Sequence, residues 1–180
     1  MVKVGINGFG RIGRLILRAL LENYKGKIQV VGINDLGSIE ANAHLIKFDS
    51  THGTLNHDVK TTKEGFQIGD QNIKVFAERD PSKLPWGKIG ADVVLECTGF
   101  FLDKNSAGKH IEAGAKKVII SAPAKEVDFT VVQGVNSKDL KKEHNIISNG
   151  SCTTNCLAPV AMVLENTFGI ESVSYTHLTL

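Results

Sequence analysis

Residues 7–13 read Asn-Gly-Phe-Gly-Arg-Ile-Gly, between a short β-branched run at 3–7 and a segment with helical spacing of apolar residues. Gly8, Gly10 and Gly13 therefore form the pattern G-x-G-x-x-G at a strand-to-helix junction. At such a junction the first glycine permits a tight turn, the second lets the backbone approach a pyrophosphate, and the third allows helix and strand to pack closely. N–H groups at the helix start then face the phosphates. The stretch predicts a dinucleotide-binding loop.

Asp35 closes the next apolar run, at residues 28–33, and lies 22 positions after Gly13. A carboxylate at that place accepts hydrogen bonds from the two hydroxyls of a ribose and repels a 2′-phosphate. The predicted cofactor is therefore NAD rather than NADP. The alternative is a glycine-rich turn in another α/β fold, in which Asp35 only closes a loop.

The chain up to residue 150 alternates between strand and helix patterns. Further strands are predicted at 92–97, 117–121, 127–132 and 145–148, helices at 11–21, 40–48 and 104–113, antiparallel hairpins over 51–74 and a loop over 80–86. In the first helix, Ile12, Leu15 and Ala19 are placed on the apolar face and Arg18 away from it. Short apolar strands separated by helices predict an α/β fold, a Rossmann-type doubly wound and mostly parallel sheet.

A change of pattern at residues 148–151 predicts a domain boundary. We expect residues 1–150 to form the NAD-binding domain and residues 151–180 to be the truncated start of a second domain, with a helix over 154–167. The tail from about residue 173 is expected not to be native.

Cys152 follows a Gly-Ser turn and lies in the first turn of that helix. The partial positive charge and unpaired N–H groups of a helix start favour the thiolate, so Cys152 is either a nucleophile or a buried cysteine that begins a helix. Cys156 and Cys97 are predicted to pack as small apolar side chains. No metal site is predicted, because C-x-x-x-C has no second ligand pair and His44, His110 and His144 belong to no constellation.

Composition excludes several classes of protein. The chain has 180 residues, with 21 Lys and Arg against 19 Asp and Glu and no basic block, so no nucleic-acid partner is expected. No apolar run approaches the roughly 18 residues of a membrane span, and no export signal precedes the first strand. We therefore expect a cytoplasmic protein with reduced thiols.

Five segments are together very similar to the phosphorylating glyceraldehyde-3-phosphate dehydrogenases: residues 7–14, 33–35, 48–53, 96–100 and 151–156. The last of them, Ser-Cys-Thr-Thr-Asn-Cys, is the most specific, and the resemblance extends from residue 2 to about 170. It implies a glycolytic NAD-dependent dehydrogenase that is a homotetramer when complete, with an α+β catalytic domain after the first domain.

The resemblance also implies the site residues. Cys152 would add to the aldehyde of glyceraldehyde 3-phosphate, and inorganic phosphate would release 1,3-bisphosphoglycerate from the resulting thioester, with Ser151, Cys152 and Thr153 contacting substrate and phosphate. The implied cofactor-binding residues are Asn7, Gly8, Phe9, Gly10, Arg11, Ile12, Gly13, Asp35, Arg79, Thr98, Gly99 and Ser121.

The resemblance fails at one position. The family's catalytic histidine follows the nucleophile by about 27 residues, where this chain has Thr179; His177 lies two residues earlier. Two residues along a strand displace a side chain by about 6 to 7 Å, so the role is not assigned to His177.

Three other functions remain open from the sequence. The chain could be part of an erythrose-4-phosphate dehydrogenase, an enzyme of the same family whose motifs are nearly the same. Taken alone, the truncated chain could be an NAD-binding module without catalysis, and we expect it to be inactive by itself because it has no assigned base and lacks the catalytic sheet. A cofactor-free cysteine acyltransferase or protease would explain Cys152 but leave the glycine loop and Asp35 without a role.

Overall fold

The computed structural model describes residues 1–174, and the region of His177 and Thr179 lies outside them. The helices are α1 (Arg11–Asn23), α2 (Ile39–Lys47), α3 (Trp86–Ile89), α4 (Lys104–Glu112) and α5 (Cys152–Phe168), with 3₁₀ turns at Pro81–Lys83 and Ser137–Asp139. The strands are β1 (Val2–Asn7), β2 (Ile28–Asn34), β3 (Phe48–Asp49), β4 (Gly53–Thr54), β5 (Val59–Thr62), β6 (Gly65–Ile68), β7 (Gln71–Phe76), β8 (Val93–Glu96), β9 (Lys117–Ile120), β10 (Phe129–Thr130) and β11 (Ile146–Ser148).

Within residues 1–174, nine strands form one sheet in the order β10-β11-β9-β8-β1-β2-β7-β6-β5. Neighbours from β10 to β7 run parallel, whereas β7, β6 and β5 form an antiparallel meander at one edge. After β1 the chain first forms β2, which lies on one side of β1, and it later forms β8, which lies on the other side of β1. The predicted α/β class with a mostly parallel sheet is confirmed, and so are the hairpins between 51 and 74.

The buried face of α1 differs from the prediction. Ile12 is 49% exposed, whereas Arg18, predicted to lie outside the apolar face, is only 5% exposed. The Arg18 guanidinium donates to the carbonyl oxygens of Ile46, Lys47 and Gly53 at 2.9 to 3.2 Å. These carbonyls include the negative end of α2, so they offset the cost of burying the charge. A count of apolar spacing cannot detect a buried arginine of this kind.

The predicted loop at 80–86 is wrong at its last residue, because Trp86 begins helix α3 and is completely buried. Its ring fills the space beside two glycines, Gly5 on β1 and Gly32 on β2. A Cβ on Gly5 would lie 2.6 Å from the Trp86 ring. The Trp86 Nε1–H donates to His110 on α4 at 3.0 Å. This tryptophan therefore ties the sheet to α4, close to the ends of β1 and β8.

Helix α5 begins at Cys152, two residues before the predicted start, and none of its residues is buried by the described part of the chain. Leu157, Val160 and Leu164, three apolar side chains of this helix, are 44 to 54% exposed. Cys156 is exposed as well, so its prediction as a packed apolar side chain is wrong for residues 1–174. No helix among these residues is both long and apolar enough to span a bilayer.

Candidate cofactor crevice and nucleophile

A crevice of about 480 Å³ opens at the carboxyl ends of β1, β2 and β8. In an open α/β sheet, ligands bind at this edge, where neighbouring crossovers leave in opposite directions. Six of the predicted cofactor-binding residues line the crevice: Asn7, Gly8, Gly10, Asp35, Arg79 and Thr98. Sequence reasoning missed other lining residues, among them Asn34, Leu36, Glu78, Phe100 and Phe101.

The glycine loop is tightly packed on the protein side and open on the crevice side. Gly8 has φ +90°, and a Cβ there would lie 2.7 Å from the backbone nitrogen of Thr98. A Cβ on Gly13 would lie 2.3 Å from the Gly8 carbonyl oxygen. Gly10 differs, because a Cβ there would meet no atom within 4 Å. Only the middle glycine therefore keeps space free for a ligand.

Helix α1 offers unpaired N–H groups to that space. Gly10 is its N-cap and supplies no side-chain oxygen, and the first helical bond recorded runs from Arg14 N to Gly10 O. The N–H groups of Arg11, Ile12 and Gly13 precede that bond and have no helical acceptor. Such a helix start is a binding site for phosphate oxygens, so the residues present fit the pyrophosphate of a dinucleotide.

Asp35 is held beside this loop by backbone donors. Its Oδ2 accepts from Phe9 N at 2.8 Å, and its Oδ1 accepts from Gly37 N at 2.8 Å. The carboxylate therefore joins the glycine loop to the turn before α2. Its remaining lone pairs are available to ligand hydroxyl groups, because each carboxylate oxygen accepts more than one hydrogen bond.

The other predicted loop residues take part through their backbones or lie outside the crevice. Phe9 is 1% exposed and packs on Phe66, with ring centroids 6.0 Å apart. The Arg11 side chain points to the β3–β4 hairpin, where it pairs with Asp49 at 3.0 Å. Hydrogen bonds from the backbone N–H groups of His52 and Thr51, with a smaller contribution from Arg11, lower the pKa of Asp49. The Arg11 guanidinium is therefore occupied, and only its backbone faces the predicted phosphate position.

The turn after β8 forms the opposite wall. Thr98 lines the crevice, and Gly99 follows with φ +77°. Ser121 comes directly after β9, and its backbone N–H donates to Glu96 O at 3.0 Å. Burial raises the pKa of the Cys97 thiol to about 11, although a hydrogen bond with Ser121 opposes the rise. Cys97 is therefore protonated at neutral pH and is not a nucleophile.

Cys152 lies at the same edge of the sheet and is exposed. Ser151 caps α5: its Oγ accepts from Thr154 N at 2.9 Å and is 2.8 Å from the Thr153 hydroxyl. The backbone leading to Cys152 leaves β11, and Asn149 N donates to Ile120 O at 2.9 Å. Three strand spacings separate β11 from β1, or about 14 Å. The strands that lead to the thiol and to the glycine loop are therefore about 14 Å apart in one sheet.

The sequence comparisons agree with this geometry. The family model described as "Glyceraldehyde 3-phosphate dehydrogenase, NAD binding domain" matches residues 2–104, and that of the C-terminal domain of the same enzyme matches residues 151–179.

Within residues 1–174, no group of three His, Cys, Asp or Glu side chains is arranged to hold a metal ion.

Curated relatives named glyceraldehyde-3-phosphate dehydrogenase align with nearly all of the chain. The protein of Xanthobacter flavus is 54% identical over 170 residues, which are 94% of this chain and 51% of the relative. That of Geobacillus stearothermophilus is 56% identical over 170 residues, 94% of this chain and 50% of the relative. The chain therefore spans about half the length of the curated relatives it matches. It belongs to the glyceraldehyde 3-phosphate dehydrogenase family.

Proposed function

We propose that the chain is the NAD-binding part, with the nucleophile attached, of an enzyme that oxidises and phosphorylates glyceraldehyde 3-phosphate. The observation that carries the proposal is that the glycine loop, Asp35 and an exposed cysteine at a helix start share one edge of the sheet. The expected domains are residues 1–150 for the cofactor and residues 151–180 for the start of the catalytic domain. A homotetramer in the cytoplasm is proposed for the whole protein on the family resemblance.

The cofactor would be held from three sides of the crevice. The start of α1 would bind the pyrophosphate through the backbone N–H groups of Arg11 and Ile12, and Asp35 would accept from the adenosine ribose. Arg79 would lie at the adenine end, with Thr98 and Ser121 along the path towards Cys152. NAD supplies a hydride acceptor when it is bound.

The chemistry of the chain's own residues begins at the Cys152 sulfur. The thiolate adds to the aldehyde carbon and forms a C–S bond while the carbonyl π bond breaks, and the oxygen takes a proton from solvent, giving a thiohemiacetal. Loss of hydride from that carbon, with release of the hydroxyl proton, leaves a thioester. A phosphate oxygen then attacks the carbonyl, the C–S bond breaks, and the thiolate is regenerated with an acyl phosphate as product. The hydroxyl groups of Ser151 and Thr153, on the residues either side of Cys152, lie 2.8 Å apart and would bind the attacking phosphate.

Trapping the acyl group tests the proposal. We expect the complete enzyme that contains this chain, incubated with NAD and glyceraldehyde 3-phosphate but without inorganic phosphate, to gain the acyl mass on the Cys152 peptide; the chain alone, in which no catalytic base is assigned, should not form the adduct. Cys152→Ser should lose the adduct. Cys156→Ser is the matched control, because Cys156 is exposed on the same helix, and it should retain the adduct. NAD binding by the complete enzyme without any adduct would instead favour the non-catalytic module, and an adduct only with erythrose 4-phosphate would favour the alternative substrate.

Replacing Asp35 tests the cofactor assignment. Asp35→Ala should weaken NAD binding at least about tenfold, about 1.4 kcal/mol, because the ribose acceptor and the tether to Phe9 N are both lost. Asp70→Ala removes the same charge at an exposed turn far from the crevice and should leave binding unchanged. Isothermal titration calorimetry measures both. Equal affinities of the two variants for NAD would contradict the role of Asp35.

A further inference from the structure

A network of buried polar side chains lies directly beneath the crevice. His110 is 0% exposed, Glu96 and Asn7 are each 1% exposed, and Asn34 is 6% exposed. Glu96 Oε2 is 2.6 Å from Asn7 Nδ2 and 2.9 Å from His110 Nε2. Trp86 Nε1 lies 3.0 Å from His110 Nδ1 on the other side of the imidazole. His110 therefore belongs to a hydrogen-bonded network that the sequence did not predict.

The Trp86 indole fixes which atoms of this network donate hydrogen bonds and which accept them. An indole N–H can only donate, so His110 Nδ1 accepts from Trp86 and carries no proton. The proton of the neutral imidazole is then on Nε2, which donates to Glu96. The buried contact between His110 and Glu96 is therefore a hydrogen bond from a neutral ring to a carboxylate, not an ion pair.

The other Glu96 oxygen holds the crevice wall after β8. Oε1 accepts from Thr98 N at 2.7 Å and from the Thr98 hydroxyl, whose oxygen in turn accepts from Phe100 N at 3.1 Å. Both Thr98 and Phe100 line the crevice. Glu96 thus receives N–H or O–H donors on both oxygens, with Asn7 and His110 on one and Thr98 on the other.

The network continues through Asn7 and Asn34 to the crevice wall at Glu78 and Arg79. Asn7 Oδ1 accepts from Asn34 Nδ2 at 2.7 Å. Asn34 in turn donates to Glu78 O at 2.8 Å and accepts from Glu78 N at 2.8 Å, just before Arg79. The network therefore joins the ends of β1, β2 and β8 to the segment after β7, and these four parts of the chain surround the crevice.

We propose that Glu96 is a positioning residue for the cofactor site, which sets the Thr98–Phe100 wall through a network whose direction the Trp86–His110 hydrogen bond fixes. The inference rests on the proposed NAD binding for its functional part. Glu96 does not line the crevice, so it would act on the ligand through Asn7 and Thr98, which do.

Glutamine cannot replace Glu96 in this network despite its equal size. An amide NH₂ at the Oε2 position would face the Asn7 and His110 donors, and His110 cannot change tautomer while Trp86 donates to Nδ1. The NH₂ is therefore expected at the Oε1 position. There the Thr98 hydroxyl can rotate to accept, but the Thr98 backbone N–H loses its acceptor. The substitution should loosen the crevice wall and leave the Trp86–His110 bond in place.

Long-range ¹H–¹⁵N correlation spectra of His110 in the wild-type chain test the direction of the network and need no variant. The proposal predicts a proton on Nε2 and none on Nδ1. A proton on Nδ1 would overturn it, because Trp86 and His110 would then both be donors.

Glu96→Gln tests the positioning role. We expect NAD binding at least tenfold weaker by calorimetry, faster hydrogen exchange at the Thr98 amide and an unchanged His110 tautomer. Val118→Ala is the control for destabilisation alone, because Val118 is fully buried in the same sheet and lies outside the crevice lining. It should bind NAD within twofold of the wild type. Thr98→Val, which removes one donor to Glu96, provides a second variant with the same expected weakening if Glu96→Gln does not fold.

The outcomes separate this inference from the proposed function. A wild-type chain that is folded but does not bind NAD contradicts the proposed function, and the positioning role is then decided by the Thr98 amide and the His110 tautomer alone. NAD binding by Glu96→Gln within twofold of the wild type would overturn the positioning role and leave the proposed function intact.

Discussion

Gly10→Ala should weaken NAD binding at least about tenfold while the fold is retained. The added methyl group would project into space that holds no protein atom within 4 Å, at the start of α1 where the pyrophosphate is proposed to bind. Gly10 has φ −69°, which alanine adopts without strain. Stability should therefore change by no more than about 1 kcal/mol, the usual scale for a substitution at an N-cap. Calorimetry with NAD and thermal unfolding measure the two effects separately.

Gly108→Ala is the matched control for that experiment. Gly108 lies within α4, and a Cβ there would meet only Ile146 Cδ1 at 3.8 Å, an ordinary contact. It should leave NAD binding unchanged and increase the free energy of unfolding by up to about 1 kcal/mol, because alanine is the better helix former. If Gly10→Ala binds NAD as tightly as Gly108→Ala, the pyrophosphate is not at the start of α1.

Gly13→Ala should have the largest effect on stability, a loss of about 2 to 3 kcal/mol. The new Cβ would lie 2.3 Å from the Gly8 carbonyl oxygen and 3.3 Å from its carbon. Both are backbone atoms, so no side chain can rotate to make space, and α1 must move away from the end of β1. NAD binding should be lost together with this packing.

Urea unfolding followed by circular dichroism checks the Gly13→Ala prediction. The midpoint should fall well below that of the wild type, whereas Gly108→Ala should raise it. A Gly13→Ala midpoint equal to the wild-type value would contradict the close packing of α1 against the turn at Gly8.

The sequence was sufficient to predict the parts of the fold that local patterns determine. The glycine spacing at 8, 10 and 13 predicted the strand–turn–helix junction, and the apolar runs predicted the parallel strands. Both signals arise from short-range sterics and periodic burial, so neither needs knowledge of distant residues. The antiparallel hairpins between 51 and 74 followed from glycine and polar residues for the same reason.

Features that depend on distant partners were not predicted. Arg18 is buried because three carbonyl groups from the end of α2 and the following hairpin surround it, and apolar spacing carries no trace of them. His110 is part of a network because Trp86, Glu96 and Asn7 reach it from separate elements. Cys156 has the spacing of a packed side chain, but nothing in residues 1–174 covers that face of α5.

The assignment of the crevice is tested by titrating the wild-type chain with NAD and, in parallel, with NADP. We expect saturable binding of NAD at one site and binding of NADP at least about tenfold weaker, since a 2′-phosphate would meet the Asp35 carboxylate. Folded chain that binds neither dinucleotide, or binds both equally, would contradict the assignment of the crevice at β1, β2 and β8 as an NAD site.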